Sequence, residues 1–217
     1  MIAHRTHGQL RTATLGAASL ICTAMAASPA LAHHAMGGVL PYTFTQGLLS
    51  GVAHPIIGLD HLAFIIGVGL MAAFAGARFL LPFAFIAGTL GGAGLHFASL
   101  DLPVAEPVIA LSVAAAAVLV ISGVKITLPL LAVAFAGAGL FHGYAYAESI
   151  IGAESSVVGA YLLGFGVTQY AIALAAGTLF TVWSKRGDGL ALSYARVAGG
   201  AMAGVAAVAL SGMIFPA

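Results

Sequence analysis

Two imidazoles and a carboxylate fall within eight residues at His54-Pro55-Ile56-Ile57-Gly58-Leu59-Asp60-His61, directly before a run from Leu62 to Ala75 that carries no charge. A second block, Phe141-His142-Gly143-Tyr144-Ala145-Tyr146-Ala147-Glu148, also holds an imidazole and a carboxylate at the end of an apolar stretch, and His96 stands near the end of another. Imidazole and carboxylate together suit a first-row divalent ion such as nickel, cobalt or zinc, and ligand type alone does not choose among them. Ligation needs the imidazole unprotonated, so binding is expected to weaken as the pH falls toward the ordinary imidazole pKa of about 6.5.

The setting makes these groups informative. Of the 217 residues, 6% are charged and 61% hydrophobic, with a mean hydropathy of +1.10, which places the chain among integral membrane proteins. Charge at membrane depth is costly, so Asp60 needs a partner: His61, His142 or a bound ion. A net charge of +1 without a clustered basic face excludes nucleic acid as a partner. The single cysteine, Cys22, lies in a segment expected to be removed, so disulfides and thiolate metal sites have no material. Histidine, aspartate, glutamate and main-chain carbonyls remain as ligands. No phosphate-binding Gly-x4-Gly-Lys-Ser/Thr loop is present, so ATP hydrolysis within the chain is not expected; the chain is read as a permease, not an enzyme, with no cofactor besides the metal ion it would move. Its partners would be the lipid bilayer and a metal ion as substrate.

The elements that must position these groups follow from run lengths and breakers. Residues 1–32 read as a cleavable secretory signal: Arg5 and Arg11 at a basic start, an apolar run from Leu15 to Ala26, and Ala30-Leu31-Ala32 as a small-x-small cleavage site. The mature chain would then begin at His33-His34, two imidazoles beside an α-amine and an arm able to capture a metal ion. Residues 41–53 are too short and too polar to span, and predict a half-helix that ends where Pro55 disfavours the helical conformation of His54. Six spans follow, at about 56–76, 79–98, 104–123, 127–146, 157–183 and 192–214, which makes residues 33–217 one all-α transmembrane domain.

Charge sorts the turns. Arg78, Lys125 and Lys185-Arg186 fall on one side, while Asp101, Glu106, Glu148 and Glu154 fall on the other. Positive charge marks the cytoplasm. An outside amino terminus followed by six spans gives the same orientation, with both mature termini outside a bacterial-type inner membrane. His54, Asp60, His61, His96, His142 and Glu148 then share the outer side. Gln46 in the half-helix and Gln169 in the fifth span either line a route or hydrogen-bond between helices. Gly47-x3-Gly51, Gly88-x2-Gly91, Gly137-x-Gly139, Gly164-x-Gly166 and Gly200-x3-Gly204 predict faces for close helix packing.

The residues His54-Pro55-x2-Gly58-x-Asp60-His61 resemble the signature of the HupE/UreJ family of membrane metal permeases, and the Phe141–Glu148 block is similar to that family's His-rich segment ending in Glu. Signal, spans and length agree, so the resemblance covers essentially the whole chain. It implies secondary uptake of nickel, or of cobalt in some branches, across the inner membrane. It also implies that His54, Asp60, His61 and Glu148, with His142 in the same block, handle the metal. Tyrosines stand at 144 and 146, where family members often carry histidine. Two other readings stay open. One is an accessory or sensor that binds metal for a metalloenzyme without moving it; the other is a haem-anchoring subunit with His96 and His142 as axial ligands.

Overall fold

The computed structural model describes residues 39–215, and among them the chain forms seven helices and no strand. These are α1 (Phe44–Ile57), α2 (Leu59–Phe74), α3 (Leu80–Phe97), α4 (Ala105–Ser122), α5 (Leu128–Glu148), α6 (Ser155–Ser184) and α7 (Asp188–Ile214). The expected signal segment 1–32, Cys22 and the His33-His34 arm lie outside the described residues. Boundaries follow local chemistry: Pro129 opens α5 where a missing N–H costs nothing. Gly123 closes α4 with φ +63, a left-handed cap that a side chain would strain.

Each of α3 to α7 contains a stretch long and apolar enough to cross a membrane, so this is a multi-pass membrane protein. Neither α1 nor α2 does so alone: 14 and 16 residues reach only about 21 and 24 Å, against a hydrocarbon thickness of about 30 Å. They form a pair bent by 78°, and counting that pair as one span brings the total to six.

The break between them is not where proline predicts it. Pro55 lies inside the last turn of α1, and the chain turns at Gly58 instead. Proline at that point sits above Gly51, which has no side chain and packs directly against the main chain of α6 at Tyr161. Helix nevertheless runs through His54 and Pro55 to Ile57, and the break falls at the next residue. The interruption is a single residue, because the Gly58 N–H still donates to the His54 oxygen (3.1 Å) and its oxygen accepts from the Leu62 N–H (2.8 Å).

Helix α2 is the hub. It packs on α1, α3, α4, α6 and α7, and reaches α5 through Phe64, whose ring lies 5.8 Å from that of Phe135. Ten of its residues, from His61 to Ala72, are buried. Two further interfaces are built on glycine. In α3 against α5, side chains on Gly88 and Gly92 would run into the Ala136 and Leu140 main chain, and side chains on Gly139 and Gly143 into Phe85 and Thr89. The working spacings are therefore Gly88-x3-Gly92 and Gly139-x3-Gly143, since four residues return to one helix face. Gly91 meets only the Leu140 side chain, and Gly137 faces open space, as does Gly200. In α1 against α6, Gly47 and Gly51 meet Val157 and Tyr161 while Gly164 meets Leu48, which agrees with the expected packing at Gly47-x3-Gly51.

Candidate metal site

The bend at Gly58 builds the site. His54 ends α1 and Asp60 and His61 open α2. In a straight helix, seven residues would separate the two histidines by about 10 Å along the axis. The 78° turn instead brings their rings to 6.1 Å between centroids, edge to face, with both residues buried at 3% and 4% exposure. A side chain at the turn would crowd the site: a Cβ on Gly58 would lie 2.8 Å from Cδ2 of His61 and 3.4 Å from the His54 oxygen.

Two buried hydrogen-bonded groups meet there. His61 Nδ1 lies 2.8 Å from His142 Nδ1, and His142 Nε2 lies 2.9 Å from Ser112 Oγ on α4. The His142 ring stacks on Phe64 at 4.5 Å and meets Phe85 edge-on at 5.8 Å. On the other side, His54 Nδ1 lies 2.7 Å from the Tyr161 hydroxyl and 3.2 Å from Ser149 Oγ, and Tyr161 donates to the Tyr146 main-chain oxygen at 2.9 Å.

Tyr146 stands between the groups. Its ring stacks on His61 at 4.1 Å and meets His54 and Phe165 edge-on at 4.8 and 4.5 Å. Among the described residues, the Tyr146 hydroxyl and the Gln169 amide are the buried side-chain polar groups with no hydrogen-bond partner. Such an orphan costs about 1–3 kcal/mol, which a polar guest such as water would offset.

Asp60 is placed more mildly than its position in an apolar chain suggests. Its side chain is 29% exposed, and Oδ1 accepts the His61 N–H at 2.8 Å in the first turn of α2, where the helix dipole favours negative charge. The same oxygen lies 4.0 Å from His61 Nε2. With metal–ligand bonds of roughly 2.0–2.2 Å, neighbouring donors of one tetrahedral or octahedral ion stand closer than this, so the two atoms would have to draw together to share an ion.

The remaining expected residues lie around this centre or away from it. His96 is half-buried, with Nδ1 3.0 Å from the Tyr144 oxygen and its ring 4.1 Å from the Tyr144 ring, and Tyr144 donates to Asp101 at 3.1 Å. These three make a separate cluster. Glu148 is exposed at the end of α5. Gln46 closes a capping box with Thr43, its oxygen accepting from the Tyr42 and Thr43 N–H groups at 2.8 and 3.2 Å. Gln169 is fully buried midway along α6. Among the described residues, no three of His, Cys, Asp and Glu converge as a ready ligand set; the imidazoles are held by each other and by hydroxyls.

Ser112, Ser149 and Tyr161 are the site neighbours that motif reading does not find. For Tyr161 a signal exists, since Tyr161, Phe165 and Gln169 recur every four residues and all three are fully buried. Nothing around Ser112 or Ser149 distinguishes them in the sequence.

Comparison with known proteins supplies the wider context. A family model described as HupE / UreJ protein matches residues 20–210. A curated relative, Protein HupE of Rhizobium leguminosarum bv. viciae, is 34% identical over 199 residues, which cover 89% of this chain and 98% of the relative. No solved structure matches the chain significantly.

Proposed function

As the chain belongs to the HupE/UreJ family, we propose that it carries a divalent transition-metal ion, nickel or cobalt, across the inner membrane. The observation that carries this reading is the Asp60 carboxylate 4.0 Å from His61 Nε2, with His54 and His142 behind it at the bend. Imidazole and carboxylate are the donors such ions accept when they shed water. The ion approaches past His96 and Glu148, loses water to Asp60 and His61, and is handed on toward His54 and His142; its first capture falls to His33-His34, which lie outside the described residues. The hydroxyl of Tyr146 and the amide of Gln169 would meet it on the way inward, since both are buried and lack a hydrogen-bond partner. Gln46, with its oxygen engaged in the cap, does not belong to that route.

The orientation rests on charge: Arg78, Lys125 and Lys185-Arg186 mark the cytoplasmic turns and the histidines the outer side. Transport is passive or coupled to an ion gradient, as the chain has no nucleotide-binding loop. A haem between His96 and His142 is disfavoured, because His142 is packed against Phe64 and His61 while His96 is packed against Tyr144. Proteoliposomes offered nickel, cobalt, zinc and copper in turn test the proposal. Time-dependent accumulation of nickel or cobalt inside the vesicles supports it, and binding without accumulation sinks it in favour of an accessory or sensor.

A further inference from the structure

Ser112 belongs to neither histidine motif, yet its hydroxyl closes the inner end of the buried chain of rings. Its Oγ lies 2.7 Å from the main-chain oxygen of Ile109 in the preceding turn of α4, and 2.9 Å from His142 Nε2. Two oxygens come this close only with a proton between them, and a carbonyl has none to offer, so the one hydroxyl proton of Ser112 points at Ile109. Ser112 therefore turns a lone pair to His142, and His142 must donate through Nε2–H. Fully buried against Phe64 and Phe85, that ring is neutral, because an isolated charge there is prohibitively costly. A neutral imidazole has one ring proton. His142 Nδ1 is thus the acceptor in its 2.8 Å contact, and His61 donates to it through Nδ1–H. Above the imidazole range, where His61 is neutral as well, its lone pair is then on Nε2, the nitrogen 4.0 Å from Asp60 Oδ1.

We propose that Ser112 is a positioning residue: acting through His142, it holds His61 in the tautomer whose Nε2 lone pair, beside the Asp60 carboxylate, receives a divalent cation. The cation-binding part rests on the uptake reading above, whereas the tautomer assignment stands without it. By the same rule Tyr161 and Ser149, which both donate to the Tyr146 oxygen at 2.9 and 3.0 Å, receive the Nδ1–H of His54. What sets His61 apart is the carboxylate: the relay from Ser112 turns its Nε2 lone pair to the side of Asp60 Oδ1, and this assigns His61 as the first imidazole ligand.

The test uses the full chain in lipid nanodiscs, metal-free, with isotope-labelled histidine and at a pH above the imidazole range, followed by titration with divalent cobalt. Ring-nitrogen shifts of the wild type are expected to show His61 protonated on Nδ1 and His142 on Nε2. Ser112→Ala is expected to mix the tautomers of both rings and to weaken cobalt binding about tenfold to hundredfold. Ser112→Thr keeps the hydroxyl and is expected to restore both readouts. His61 protonated on Nε2 in the wild type, or unchanged tautomers in Ser112→Ala, overturns the proposal. If Ser112→Ala does not fold, the wild-type and Ser112→Thr spectra decide alone. Wild-type protein with the expected tautomers that binds no cobalt would overturn the ligand role and leave the tautomer relay intact, whereas the uptake reading falls separately, if proteoliposomes accumulate neither nickel nor cobalt.

Discussion

The Nδ1 atoms of His61 and His142 stand 2.8 Å apart although 81 positions separate them in the chain. This contact ties the start of α2 to the end region of α5 and joins the two histidine blocks into one buried centre. It also explains why neither block is complete alone. His61 gains an orienting partner only from α5, and His142 gains an outlet toward Asp60 only through α2. The orienting bond to the far ring nitrogen is the arrangement that metal-binding histidines generally need.

Asp60→Ala is expected to abolish nickel or cobalt accumulation in cells while the protein is made at its normal level. Asp60 supplies the carboxylate nearest to His61 Nε2, and its partial exposure makes its removal mild for folding. Metal accumulation with an immunoblot for expression checks this. Uptake at the wild-type rate would remove Asp60 from the site.

His142→Phe keeps an aromatic ring against Phe64 and Phe85 but deletes the bonds to His61 and Ser112. The loss of buried hydrogen bonding is expected to cost about 1–3 kcal/mol. Cobalt affinity is expected to fall about tenfold to hundredfold as His61 loses its orienting partner. Thermal unfolding and equilibrium dialysis measure the two effects separately. Unaltered affinity would show that His142 serves packing alone.

Tyr146→Phe removes a buried hydroxyl without a hydrogen-bond partner while leaving the ring against His54, His61 and Phe165. Stability is expected to hold or to rise by about 1 kcal/mol, since the hydroxyl makes no protein bond to lose. Transport is expected to slow if the hydroxyl meets the ion in transit. Unfolding midpoints set beside initial uptake rates separate the outcomes, and an unchanged rate removes Tyr146 from the route.

Gly143→Ala places a methyl group against the Thr89 main chain, where α3 and α5 touch. Because the obstacle is backbone, the helices must move apart, at a cost of about 1–3 kcal/mol or more. Gly137→Ala, in open space on the same helix, is expected to be neutral. Yield and thermal stability of the two variants side by side give the comparison. Equal stability would mean that the α3–α5 interface is looser than the structure has it.

Much of the fold is legible without coordinates because it depends on local quantities. Apolar run length against bilayer thickness marks α3 to α7 to within a few residues at most ends. The spacing of His54, Asp60 and His61 already nominates a site, because ionisable groups are rare in so apolar a chain. The glycine registers were less legible. Counting small residues finds Gly88 and Gly139, but choosing Gly92 and Gly143 over Gly91 and Gly137 depends on which side of α3 and α5 faces the other.

By itself, then, the sequence determined the all-helical membrane architecture, the apolar stretches and the two blocks that carry histidine and carboxylate. Tertiary structure decided the rest. It moved the break from Pro55 to Gly58: helix continues past a proline that local preference would treat as a stop, and the chain turns where His54 and His61 come together. It brought Ser112, Ser149 and Tyr161 onto the imidazoles, an outcome that depends on the rotation of α4, α5 and α6 about their axes. Ring tautomers follow from those partners, so no local pattern in the chain could have assigned them. A residue's type is local, but which nitrogen of His61 faces Asp60 is a property of three helices packed together.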